Sequence, residues 1–67
     1  MKKIESGLRE ILGSFGKISL ATKDVIVISN FNTYLLNDVQ NFLEKYGYKL
    51  EGGNIIDQIV VFKGSNN

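Results

Sequence analysis

Residues 24–29 read Asp-Val-Ile-Val-Ile-Ser, and four consecutive β-branched aliphatics, Val25, Ile26, Val27 and Ile28, constrain the fold more than anything else in the chain. A strand points alternate side chains to opposite faces, so this run makes a strand that is apolar on both. Ile59-Val60-Val61-Phe62 repeats the pattern near the end. Strands of this kind belong in the middle of a sheet with both faces covered. The chain has 67 residues. A domain of that size buries only about 60% of its unfolded surface. Covering two sheet faces with so little chain is the problem this sequence poses.

The segments around these runs read as follows. Ile4, Leu8, Ile11, Leu12 and Phe15 fall on one helical face, with Glu5 and Arg9 four apart on the polar side. Gly7 inside that stretch costs about 1 kcal/mol relative to alanine, so the helix depends on packing. Gly13 and Gly16 end it. Lys17-Ile18-Ser19-Leu20-Ala21 alternates and predicts a half-buried strand. A turn at Thr22-Lys23 or Ala21–Asp24 pairs Leu20 with Val25 and Ile18 with Val27, leaving Ile26 and Ile28 on the other face. Asn32 caps a second helix, with Phe31 and Leu36 as a hydrophobic staple. Leu35, Leu36, Val39, Phe42, Leu43 and Tyr46 form its apolar face, Gly47 suits the left-handed position after it, and Tyr48 folds back on Leu43. Tyr48–Glu51 alternates again, Gly52-Gly53-Asn54 predicts a turn, and Ile55–Lys63 predicts the last strand.

The order is thus α-β-β-α-β-β. Alternating strands belong at sheet edges and continuous aliphatic ones at the centre, which places the strands 1-2-4-3 with every neighbour antiparallel. The expected fold is α+β: a two-layer α/β sandwich with a split β-α-β core, in one domain over residues 1–64, followed by a disordered tail at 65–67. The first helix has a short glycine-rich joint and is free to lie on either face.

From Asp24 onward a strand, a capped helix, "EKYGYKLEGG", a final strand and "VFKG" succeed one another. Over residues 24–64 this resembles the second half of the SirA/TusA sulfur-carrier family. The resemblance implies the same strand order. It carries no sulfur chemistry across, because that family uses a cysteine followed by proline at the start of its first helix, behind a first strand. This chain has no cysteine and no proline, and no strand is expected ahead of Ile4.

Chemistry is narrowed by what the composition omits. Without cysteine there is no disulfide, thiolate metal site or thiol nucleophile, and without histidine the commonest metal ligand and neutral-pH base are missing. Asp24, Asp38 and Asp57 lie in a turn, on a polar helix face and in a strand, with nothing to bring them together. Ser29, Asn30 and Asn32 at the start of the second helix read as capping residues rather than an anion cradle. No enzyme, metal or cofactor is therefore expected. No stretch fits a signal peptide or a membrane span, so the expected location is the cytoplasm.

Two binding readings follow. A three-residue Gly52–Asn54 loop sends Val60 and Phe62 toward the second helix and leaves Ile26, Ile28, Ile59 and Val61 outward, rimmed by Lys17, Ser19, Glu51, Asp57 and Lys63, whereas an even-numbered loop would put Phe62 outside and favour RNA. That set is the expected interaction face, for a homodimer or another protein partner. The alternative is nucleic acid, contacted by Lys17, Lys49 and Lys63. A net charge of +1 makes such binding weak and salt-sensitive.

Overall fold

The computed structural model describes residues 2–54 and 58–64. Helix α1 spans Lys2–Leu12, β1 Lys17–Ala21 and β2 Val25–Ser29. A 3₁₀ turn, Thr33–Leu35, leads into α2, Leu36–Glu44, and β3 (Tyr48–Asn54) and β4 (Ile59–Gly64) complete the chain. The four strands form one antiparallel sheet in the order β1-β2-β4-β3, so the expected α+β topology is present. The expected start of the last strand at Ile55, the residues Ile56 and Asp57, and the tail at 65–67 lie outside the described residues.

Local signals place the helix ends. The Asn32 side-chain oxygen accepts the Tyr34 N–H at 3.0 Å, so it caps the 3₁₀ turn and not α2 as expected; α2 begins behind Leu35, which makes no side-chain cap. Gly13 and Gly47 sit at φ +60° and +88° after the two helices, where a side chain is strained. Because α1 ends at Leu12, Phe15 falls beyond the helical stripe and is 60% exposed.

The core decides which sheet face is covered. Ile4, Leu8 and Leu12 of α1 and Val39 and Leu43 of α2 join a single buried cluster with Ile26, Ile28, Phe31, Tyr48 and Phe62. Both helices therefore serve the same set of inward sheet residues. They touch where Gly7 meets Phe42: a Cβ on Gly7 would overlap the Phe42 ring. The helix-weakening glycine is thus a contact point between α1 and α2.

Three further sequence expectations are corrected. Ile26 and Ile28 are not outward; both are 0% exposed and face the helices. In the first hairpin the turn closes one residue later, the Thr22 N–H donating to the Val25 carbonyl, so Leu20 pairs with Val27 instead of Val25, and an irregularity at Ser19 then sets Ile18 against Ile28. A bulge shifts everything on one side of it by one step, so Ile18 changes face while Leu20 stays with Val27. In the second hairpin, Gly52-Gly53-Asn54 is not a turn but part of β3, and Leu50 pairs with Phe62 instead of Ile56. A bulge between Leu50 and Gly52 accommodates the glycines, and the longer strand extends the ladder with β4.

One end of the sheet is tied together by Tyr48. Its ring lies beside Gly64, its cross-strand partner, and its hydroxyl donates to the Thr22 carbonyl at 2.7 Å. The Gly64 N–H donates to the Asp24 carbonyl at 2.8 Å, and a Cβ on Gly64 would stand 2.5 Å from the Lys23 carbonyl oxygen. Glycine is needed there to let β4 approach the turn. Burial, and then the nearby Asp24 carboxylate, raise the Tyr48 phenol above its ordinary pKa of 10.0.

Leu43→Ala is expected to lower unfolding free energy by about 2–5 kcal/mol, read from a denaturant melt, because Leu43 is fully buried between α2 and the sheet. Tyr48 carries a pH signature. A phenol whose folded pKa is raised contributes stability that is complete below pH 10 and lost as pH rises through the folded value. Stability of the wild type should therefore fall above pH 10 more steeply than that of Tyr48→Phe; parallel curves would show that the phenolate is tolerated in place.

Candidate interaction surface

The ladders sort the residues of the opposite sheet face into rows across the strands. At the Tyr48 end lie Val25, Lys63 and Lys49, since Val25 pairs with Lys63 and Lys63 with Lys49. The middle row runs Leu20, Val27, Val61, Gly52. At the far end Lys17 pairs with Ser29, and Ile59 follows one step beyond the Ile28–Val60 pair. The hydroxyls of Ser19 and Ser29 hydrogen-bond across the two strands on this face.

Five aliphatics, Leu20, Val25, Val27, Ile59 and Val61, thus form one patch. None belongs to the buried core; Leu20 is 45% exposed and the other four are half-buried. Gly52 leaves open space at the β3 end of the middle row, with nothing near where its Cβ would be. Strand spacing of about 4.8 Å and rows about 7 Å apart give the whole face a footprint of roughly 400 Å², of which the five aliphatics occupy about 170 Å². A contiguous apolar patch on a sheet face is a common mark of an interaction site.

The expected interaction residues divide. Ile59 and Val61 lie on this open face, but Ile26 and Ile28 are replaced there by Val25 and Val27, their neighbours on the same strand. The three lysines proposed for nucleic acid, Lys17, Lys49 and Lys63, are all exposed and occupy outward register positions of the same face. No aromatic accompanies them. Phe62 and Tyr48 point into the core, and Tyr34, 92% exposed, sits on the 3₁₀ turn before α2. A base-stacking platform of the kind that sheet-face RNA binders use is missing.

The far end of the strands carries a cleft of about 520 Å³ between Phe15, Asn30, Asn32, Thr33 and Gln58. Asn30 and Gln58 both adopt positive φ, +53° and +56°, and the Phe31 N–H donates to the Gln58 carbonyl at 2.8 Å, fastening the β2–α2 connection to the β3–β4 turn. Among the described residues its lining has amides, hydroxyls and two phenyl rings and no titratable group. Among the described residues no three carboxylates converge on a point that could hold a metal ion. Among these residues no helix is long and apolar enough to cross a membrane.

Comparison of the chain with known protein families, with curated proteins and with solved structures finds no match.

Placing Val27 and Ile26 on opposite faces has a direct consequence. Val27→Lys should leave the domain folded, within about 1 kcal/mol, because a lysine stem can lie along the open face with its ammonium in water. Ile26→Lys should abolish the cooperative unfolding transition, because it places an unpaired charge beneath both helices. Circular dichroism melts of the two variants check the assignment of faces.

Proposed function

We propose that this protein is a non-enzymatic interaction domain, and that its working surface is the open sheet face of Leu20, Val25, Val27, Ile59 and Val61. The observation that carries this reading is the patch itself: two central strands built of β-branched aliphatics, covered by helices on one side only. The occupant is another protein surface. Strand addition at the sheet edges is disfavoured, since β1 and β3 each contain a bulge and present Lys17 and Lys49. Docking therefore takes place face-on. The absence of histidine and cysteine and the scatter of the acidic residues support a role without catalysis. Such a domain would work in the cytoplasm.

A photo-crosslinking amino acid placed at Leu20, with Tyr34 as the control position, tests this in cells that make the protein. The expected result is a discrete protein adduct from position 20 and none from position 34. An adduct of twice the chain mass identifies a second copy as the occupant and keeps the reading. No protein adduct at position 20 under conditions where the domain is folded overturns it.

A further inference from the structure

Among the described residues no lysine on the open face has an acidic partner. Lys49 and Lys63 are direct cross-strand neighbours, an arrangement of like charges that destabilises a sheet. Among the described residues the only ion pair joins Glu5 and Arg9 on α1, and it reaches none of these lysines. Lys17 stands at the diagonal corner of the same face. Among the described residues of β1–β4 the one exposed acid is Glu51, at the β3 bulge. The face is therefore an aliphatic band flanked by uncompensated positive charge.

That composition argues against a second copy as the natural occupant. A two-fold axis doubles the contents of the face, so among the described residues self-pairing would gather six lysines around one apolar seam. The area points the same way. Two footprints of roughly 400 Å² fall short of the about 1,000 Å² expected of a specific interface without electrostatic help. Nucleic acid supplies the negative charge but has no use for five aliphatics in a face without an aromatic.

We infer that the open face takes an acidic amphipathic helix of a partner protein, its apolar stripe on Val25, Val27, Ile59 and Val61 and its carboxylates against Lys49 and Lys63. This rests on the reading of the open face as the working surface and adds the chemistry of the partner. A helix suits the site because α1 and α2 already pack on the other face of the same two strands, and because carboxylates along one flank of a helix meet both members of the lysine pair. Charge complementarity of this kind sets partner choice and association rate.

The test uses the whole chain and two synthetic helical peptides with leucines at i, i+3, i+4 and i+7. One carries glutamates along a single flank and the other lysines at the same positions. Fluorescence anisotropy should show the glutamate peptide bound roughly tenfold or more tightly than the lysine peptide, with the difference shrinking as salt is raised. Lys49→Glu combined with Lys63→Glu should reverse the preference, while Val27→Asp should abolish binding of both peptides with the fold intact. Equal binding of the two peptides overturns the inference but leaves the open face as the working surface. Binding of either peptide that survives Val27→Asp overturns both. No binding of either peptide overturns the inference, as does a doubled molar mass by light scattering, which gives the face to a second copy. Sub-micromolar binding of a single-stranded oligonucleotide at about 200 mM salt also overturns it and restores nucleic acid as the partner.

Discussion

The pairing of β2 with β4 is the contact on which the rest of the structure depends. It joins the two hairpins into one sheet, and it sets Ile26 opposite Phe62 and Ile28 opposite Val60. Ile26, Ile28 and Phe62 are fully buried, and both helices pack on them. A slip of one residue in this ladder would either exchange Ile26 for Val25 or Val27 beneath the helices or turn Phe62 to solvent. In a domain this small there is no second core to absorb such an error.

The two ends of that ladder are secured in different ways. At one end Tyr48 reaches past Gly64 to the Thr22 carbonyl, so the edge strand β3 is bound to the β1–β2 turn on the other side of β4. At the other end the Phe31 N–H is held by Gln58, with Asn30 and Gln58 both in the left-handed region. Non-glycine residues there carry a modest backbone penalty, which the surrounding contacts offset. Bulges in β1 and β3 then bend the two exposed edges, which discourages pairing with another sheet.

With its edges guarded and one face under helices, the sheet has a single apolar surface left to offer. Its middle row runs Leu20, Val27, Val61 across three strands and ends in the hollow at Gly52. The lysines that flank it have long apolar stems, which widen the patch while keeping their charges in water. We read the combination as a surface shaped for an apolar ridge bordered by carboxylates. A net charge of only +1 conceals this, because Glu5, Glu10, Asp38 and Glu44 lie on the helices.

The amino-acid sequence by itself determined the element order, the antiparallel 1-2-4-3 arrangement, the Asn32 cap and the glycines after both helices. These follow from local rules: side-chain period, capping hydrogen bonds and the steric freedom of glycine at positive φ. The open face was only half legible. Ile59 and Val61 could be assigned to it, but Ile26 and Ile28 were exchanged with Val25 and Val27. A strand apolar on both sides carries no internal mark of which side is inner, and the choice fell to where α1 and α2 could pack together. Gly7 against Phe42 allowed both helices to share one face. The bulges at Ser19 and Glu51 were equally invisible, since nothing in "KISLA" or "KLEGG" distinguishes an inserted residue from a regular one. Gly52-Gly53 carries the composition of a turn, and only the ladder with β4 drew it into a strand. Period and capping are properties of a few neighbouring residues; face, register and bulge depend on contacts between segments far apart in the chain, and those only the tertiary structure decided.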